Sequence, residues 1–390
     1  MKILMVISQF HPIVGGAEKQ AQLLAKKLIE KGIEVNVVTG WWNFRTPLRE
    51  IIDGIKIYRN FSFWGMFGIK GIRPLAALTY MVTLGIHILI HRKKFDIIHA
   101  HQVLHPAFVS ALIGKGFLKK PVLVKNACTG MVSDIKQIKR YLFGGFQLKY
   151  LLRKVDRLVV VNTEGSNEFK MIGFTEEKIT HLPNGSVLPA ETKNNYASVF
   201  RVLTVARLDR QKGIDVLLKA WATVLKHKKD LRLQILGKGP LEYELKKLSM
   251  DLKINNTVEF VGAVSNVGNY LKDSDLFILP SRAEGLSNAL LEAMSYGIPC
   301  ISTDIGGNRE LFGWDVCRKI NLGEYIIAKH GLLVNPDDTE GLSEAILCLL
   351  SNRETRETIG KGGRSIVEQN YSIDRIADKY IELYQGLLKR

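Results

Sequence analysis

The chain has 390 residues, enough for two domains of ordinary size, and is 46% apolar and 24% charged. That composition is globular, and the sequence has neither a low-complexity segment nor a solenoid-type repeat, which sets aside disordered, fibrous and repeat architectures. The formal charge of +17 is uneven, because residues 1–190 hold 27 Lys and Arg against 12 Asp and Glu while the remainder is nearly balanced.

A basic first half points to an anionic surface or substrate, such as lipid headgroups, diphosphate-linked molecules or nucleic acid. No nucleic-acid recognition motif accompanies the charge. Cys128, Cys300, Cys317 and Cys348 stand without CxxC spacing, so reduced thiols in a cytosolic compartment are expected. The opening MKILMVISQFHP is too short and too β-like for a signal peptide.

Residues 3–8 (ILMVIS) read as a buried strand, followed by the loop QFHPIVGG and a helix over 17–30. Gly15 and Gly16 permit close backbone approach to a ligand just ahead of a helix N-terminus. The pattern is not G-x-G-x-x-G, so a dinucleotide fingerprint is not supported. Residues 33–39 form the second strand, and 41–60 a loop and a further strand. An aromatic, glycine-rich run then leads into the apolar stretch 75–90, closed by His91-Arg92-Lys93-Lys94. Its 16 residues are short for a membrane span, which needs about 20. It reads as a buried crossover helix, or as an apolar edge dipping into a membrane interface.

Residues 95–100 are the next strand, with His99 and His101 on one face. No third ligand at metal-binding spacing accompanies them. After a strand at 121–125 comes NACTGMVSD, then the basic, aromatic stretch 135–154, broken at Gly144-Gly145. It suits a solvated helix face or an anionic membrane surface. A strand at 157–162 and the turn Pro183-Asn184-Gly185 close the half. The polar 190–198, AETKNNYAS, reads as a linker.

The second half restarts with a strand at 202–206. The turn RLDRQKG puts Arg207 and Lys212 before a helix over 214–225, where two cations can hold an anionic group. Strands at 231–236 and 258–261 follow, the latter ending at Gly262. The central stretch is DLFILPSRAEGLSNALLEAM at 275–294. Leu276–Leu279 is a buried strand, Pro280 ends it, and a helix opens near Ser287–Asn288. The free N–H groups of that first turn suit an anion. Glu284 precedes the helix and Glu292 lies in its second turn, leaning back toward the same pocket; carboxylates there suit sugar hydroxyls. A strand at 299–303, a glycine loop 304–310, the segment HGLLV and a final amphipathic helix from Ser372 complete the chain.

Glu284, seven residues and Glu292, within strand, Pro-Ser, Glu-Gly-Leu-Ser-Asn and apolar helix, resemble the E-x7-E element of retaining glycosyltransferases of the GT-B fold, family 4 above all. The resemblance covers almost the whole chain and is strongest over 201–341. It implies an α/β architecture of two Rossmann-like domains facing across a deep interdomain cleft. Residues 1–189 would form the acceptor-side domain and 190–371 the donor domain, with the helix at 372–390 crossing back to the first.

The resemblance also implies roles. Arg207 and Lys212 would hold the donor diphosphate, together with the turn Gly285-Leu286-Ser287-Asn288. Glu292 would take the ribose diol and Glu284 the donor sugar. Gly262, Ala263 and Val264 would meet the nucleobase through backbone groups. His101, with His105 as reserve, and the Gly15–Gly16 loop would complete the cleft. Where many relatives carry His-Gly, this chain has Cys128-Thr129-Gly130. Asp273-Ser274-Asp275 matches the D-x-D metal pattern of a different glycosyltransferase fold and is set aside, so neither a metal nor another cofactor is expected.

The expected activity is transfer from a nucleotide-diphosphate sugar, UDP-linked first and GDP-linked second, to a glycan or lipid-linked acceptor. The expected place is the cytoplasm, with peripheral contact at an anionic inner membrane face. Two alternatives stand beside it. One is another GT-B activity, a nucleotide-sugar epimerase or inverting transferase; the remote one is a basic nucleic-acid-binding protein.

Overall fold

A computed structural model of the chain describes residues 1–13, 15–63, 73–130, 133–141, 143–314 and 319–389. Most of the glycine-rich run ahead of the apolar stretch, and Cys317, lie outside these. The chain divides into two compact units, Met1–Gly185 with Ile373–Arg390, and Ser186–Ser372.

The described strands of the first unit are β1 (Lys2–Val6), β2 (Glu34–Trp41), β3 (Arg49–Ile52), β4 (Ile55–Phe61), β5 (Ile97–His101), β6 (Val122–Lys125), β7 (Arg157–Val160) and β8 (Ile179–His181). They lie in the order β3-β4-β2-β1-β5-β6-β7-β8. Only β3, an edge strand hairpinned to β4, runs antiparallel. Near-continuous apolar runs such as ILMV in β1 mark strands buried on both faces, as parallel sheets require. One face packs Tyr80, Leu84 and Ile88 of helix Arg73–Ile90, with Phe108, Leu148 and Leu151. The other packs Leu24 and Leu28 of helix Gly16–Glu30.

The C-terminal helix Ile373–Leu388 returns to that second face, where Ile376, Tyr380, Tyr384 and Leu387 join the core around Ile3 and Met5. It does cross back to the first unit. Gly185, the last residue before the chain leaves this unit, is held at both backbone groups by the Gln20 amide, at 2.8 and 3.0 Å.

Helix Arg73–Ile90 corrects the expectation of a buried crossover helix. Tyr80, Leu84 and Ile88 are buried, but Leu78, Val82, Ile86 and Ile90 are each at least half exposed. An α-helix touches a sheet along one stripe only, so an all-round apolar sequence leaves its outer face bare. No described helix is long and apolar enough to cross a membrane. The basic stretch 135–154 becomes two helices, Asp134–Lys139 and Gly144–Lys154, joined through Phe143 at φ +62°.

The described strands of the second unit are β9 (Arg201–Val205), β10 (Arg232–Leu236), β11 (Val258–Gly262), β12 (Leu276–Leu279), β13 (Cys300–Thr303), β14 (Tyr325–Ala328) and β15 (Gly331–Val334). Their order is β11-β10-β9-β12-β13-β15-β14, with β14 alone antiparallel. Its core gathers Leu217, Leu218 and Trp221 of helix Ile214–His227 with Leu342, Ile346 and Leu349 of helix Thr339–Ser351.

The polar stretch 190–198 is not a free linker. Tyr196 is 2% exposed and its hydroxyl donates to Gly297 O at 2.9 Å. The Arg356 guanidinium donates to Tyr196 O at 2.8 and 3.1 Å. One large aromatic among polar residues is enough to anchor the segment to the second unit, which begins at Ser186.

Candidate active site

In a doubly wound sheet, ligand sites form beyond the C-terminal strand ends where the strand order reverses. In the second unit that point lies between β9 and β12, which are neighbours in space although 70 residues separate them in the chain. The loops that follow these strands carry Arg207–Gly213 and Pro280–Ser287.

The two loops are locked together. Gly213 has φ +63°, and a Cβ there would sit 2.0 Å from the Pro280 carbonyl oxygen. Arg282 N donates to Gln211 O at 2.7 Å, and Gln211 Nε2 donates to Ala283 O at 2.7 Å. The Arg282 guanidinium forks onto both Asp215 carboxylate oxygens, at 2.9 and 2.7 Å, and also donates to Asp337 at 2.6 Å. Burial pushes the Asp215 carboxyl up, but the hydrogen bond and charge of Arg282, a backbone hydrogen bond and the charge of Lys219 together outweigh it and hold it below the usual range. The loop after β13 closes the third side. Gly306 has φ +49°, and a Cβ would lie 2.1 Å from Glu284 O; Gly307 N donates to Gly285 O at 2.7 Å.

At the centre, the Lys212 ammonium donates to Glu284 Oε1 at 2.6 Å, and Ser281 Oγ donates to the same oxygen at 2.7 Å. The Glu284 side chain is 9% exposed and Lys212 is 20% exposed. By sequence, Lys212 reads as a cation awaiting a phosphate and Glu284 as a separate sugar ligand, whereas the structure pairs them. Arg207 is not drawn into this pair. It is 69% exposed and turned to Asp209, whose second oxygen is buried with no hydrogen-bond partner among the described residues.

The helix after the loop spans Asn288–Ser295, with Ser287 as N-cap accepting from Leu290 N at 3.3 Å. Glu292 is half-buried in its second turn, and its charge adds to burial in raising the Tyr296 phenol. Along the same sheet edge, Gly262 O accepts from Gly237 N at 2.8 Å, and Ala263 and Val264 continue outward. Asp275, which the D-x-D pattern would make a metal ligand, is engaged by Phe200 N and Arg201 N at 2.9 Å and Lys193 Nζ at 2.8 Å. Those bonds tie the strand starts together and use its oxygens.

In the first unit the order reverses between β1 and β5. Gly15 is the N-cap of its helix, and its N–H is already taken by the Glu18 carboxylate at 2.9 Å. Burial raises Glu18, against the hydrogen bonds from its own and the Gly15 backbone. Glu18 escapes a reading of the sequence because the capping signature looks for Ser or Thr, not Gly, three residues earlier.

His101 is 2% exposed and stacks on His99, with ring centroids 4.3 Å apart. His99 Nδ1 lies 2.7 Å from the Tyr384 hydroxyl. Burial, and then the nearby Lys125, hold His101 well below the usual imidazole value; burial, His101 and Lys125 do the same to His99. Lys125 is itself lowered to about 7 by burial and donates to Asn184 Oδ1 at 2.9 Å. The Nε2 atoms of both histidines are buried with no hydrogen-bond partner among the described residues. The reserve residue His105 faces Gln147 at 2.8 Å.

Asp134 is a further residue that spacing does not reveal. Its carboxylate accepts from Val103 N, Ala127 N and Cys128 N at 2.9, 3.0 and 3.2 Å, fixing the loop that carries Cys128-Thr129-Gly130. Burial outweighs those bonds and lifts it to about 6.

Two family descriptions match this chain, "Glycosyl transferases group 1" over residues 191–366 and "Glycosyltransferase Family 4" over 14–187. An uncharacterized glycosyltransferase of Methanocaldococcus jannaschii, MJ1607, is 26% identical over 99% of this chain and 98% of its own length. A phosphatidylinositol N-acetylglucosaminyltransferase component from Arabidopsis thaliana is 25% identical over 81% of this chain and 70% of its own. The crystal structure of Anabaena Alr3699/HepE in complex with UDP superposes with a TM-score of 0.76, covering 99% of this chain and 100% of that one at 17% identity. The likeness to that structure is one of fold.

Proposed function

We infer the function of this chain from its membership of family 4 of the glycosyltransferases, with the two Rossmann-like domains of the GT-B fold. We propose that it is a retaining enzyme moving a sugar from a nucleotide diphosphate, a UDP-sugar before a GDP-sugar, to a hydroxyl of a lipid-linked or cell-surface glycan precursor.

The observation that carries this reading is the Lys212–Glu284 pair at the strand-order reversal of the second unit, beside a helix N-terminus. Donor entry divides the pair. The ammonium turns to the diphosphate, joined by Arg207 and by the N–H groups of the Gly285–Asn288 turn. The Glu284 carboxylate turns to the sugar hydroxyls. Glu292 takes the ribose diol, and Gly262, Ala263 and Val264 take the base. As the bond from the anomeric carbon to phosphate oxygen breaks, charge grows on the leaving diphosphate, where fixed cations and dipoles stabilise it most. The acceptor oxygen bonds to the anomeric carbon from the same face, and its proton passes to the leaving phosphate. This scheme needs no metal, since Lys212, Arg207 and the helix terminus supply the positive charge. In the first unit, His101 and the Gly15–Gly16 loop are assigned to the reaction.

UDP in the HepE complex supports a uridine donor, and the phosphatidylinositol-directed relative supports a lipid-linked acceptor. A thermal-shift screen of nucleoside diphosphates and nucleotide sugars tests the donor, because ligands stabilise by mass action. UDP and one UDP-sugar should raise the Tm most; a flat response across the series would end the proposal. NMR of the product anomer then tests retention, and an inverted product would overturn it.

A further inference from the structure

The first unit has a second charged feature, far from the strand ends discussed above. A cavity of about 660 Å³ opens at the opposite, N-terminal edge of its sheet. That volume is within the range of small-molecule sites. Its cations are Lys115, Lys119, Arg153, Lys154, Arg157 and Lys178, set against only two acids, Asp156 and Glu177. They arrive from four places. Lys115 and Lys119 come from the end of the helical segment before β6, Arg153 and Lys154 from the last turn before β7, and Arg157 and Lys178 from the starts of β7 and β8. Strands of four residues put roughly 13 Å between this edge and the opposite one.

Part of this charge has a structural purpose. Asp156 is taken by Lys115 at 2.5 Å and by Val122 N at 2.9 Å. Lys178 donates to the terminal helix carbonyls of Leu152 and Arg153 at 3.5 and 3.2 Å. The helix dipole favours Arg153 and Lys154 where they stand. It does not account for Lys119, which sits in a left-handed turn at φ +60° with its side chain exposed. Lys119, Arg153 and Lys154 have no ion-pair partner among the described residues. Like charges gathered in a concavity repel one another, and a bound anion relieves that repulsion.

We propose that this cavity is an anion site separate from the donor site, taking a ligand that presents two or more phosphate groups. Val155 is the one apolar lining residue among the described residues, so the site has no platform for a nucleobase. The phosphates can come from a soluble oligophosphate or from lipid headgroups. Phe117, 70% exposed and two residues from both Lys115 and Lys119, suits the second source.

Two probes separate the sources, both used on the full chain with UDP at saturation so that the nucleotide site is filled. Tripolyphosphate is titrated by calorimetry, and flotation compares phosphatidylglycerol with phosphatidylcholine vesicles. The wild type should bind at least one probe. Lys119→Glu and Arg153→Glu/Lys154→Glu should each weaken that binding at least tenfold while leaving UDP affinity unchanged. Binding of tripolyphosphate without a vesicle preference assigns the free anion; preference for phosphatidylglycerol without tripolyphosphate binding assigns the headgroup. Failure of both probes, or equal binding by wild type and variants, overturns the proposal. UDP affinity is read separately, so that result leaves the donor reading untouched.

Discussion

Lys212 and Glu284, 72 residues apart in the chain, are joined by a 2.6 Å ion pair that the Ser281 hydroxyl completes. Their pairing brings together one cation and one carboxylate that the proposed reaction uses separately. Lys212→Ala and Glu284→Ala should each lower kcat/KM by about 100-fold or more, the scale of losing one fixed stabiliser of the transition-state charge. Stability should fall by only about 1–3 kcal/mol, the cost of one unsatisfied partner. Steady-state kinetics and melting curves read the two effects; turnover near wild type in either variant would count decisively against these roles.

Gly213 and Gly306 hold the loops that frame the pair. Both have positive φ, and a Cβ on either would press on a backbone oxygen at about 2 Å. Gly213→Ala and Gly306→Ala should each cost at least about 1–3 kcal/mol and weaken UDP binding, since the loops must part to accept the methyl. Calorimetry and UDP titration measure these. An alanine variant with unchanged Tm and unchanged UDP affinity would show that the loops do not need this contact.

Lys125 makes stability depend on pH in a defined direction. Its folded pKa is lowered to about 7 from 10.5 by burial. Between those values the unfolded chain keeps the proton and the folded chain does not, so stability rises with pH across that window. Lys125→Met removes this dependence. The variant should gain most over wild type at and below pH 7, by roughly 3–5 kcal/mol before the lost Asn184 hydrogen bond is counted, and the gap should close toward pH 10. Denaturant titrations across that range test it, and a gap independent of pH would sink the prediction. His99 and His101, held neutral by burial, add a loss of stability as the pH falls below 6.5.

Tyr384 reaches across 285 residues to His99. Tyr384→Phe should cost about 1–3 kcal/mol by leaving a buried ring nitrogen unpartnered. Truncation after Ser372 should do far more, because it strips Ile376, Tyr380, Tyr384 and Leu387 from the core of the first unit. Loss of the near-UV circular dichroism of that unit is the expected readout. A truncated chain that melts like the full one would contradict the packing described.

Strand β12 and the Ser287 cap stand where the sequence alone puts them, because both are local. A four-residue apolar run bounded by Pro280, and a serine ahead of an apolar helix, carry their own dihedral and hydrogen-bonding preferences. The same is true of the alternation of strand and helix in both halves, and hence of the doubly wound fold. The resemblance through Glu284 and Glu292 rests on spacing within one stretch. What needed the tertiary structure is whatever joins distant segments. The reversal of strand order sets the β9 and β12 loops side by side and turns Lys212 toward Glu284 rather than leaving it beside Arg207. Tyr196 pins a stretch that composition marks as a linker. Which apolar side chains of helix Arg73–Ile90 stay bare, and that two helix ends and two strand starts pool their cations in one cavity, likewise follow from packing. Periodicity reports how a segment prefers to fold, whereas the partner of a charge is chosen by which loops the sheet brings to the same edge.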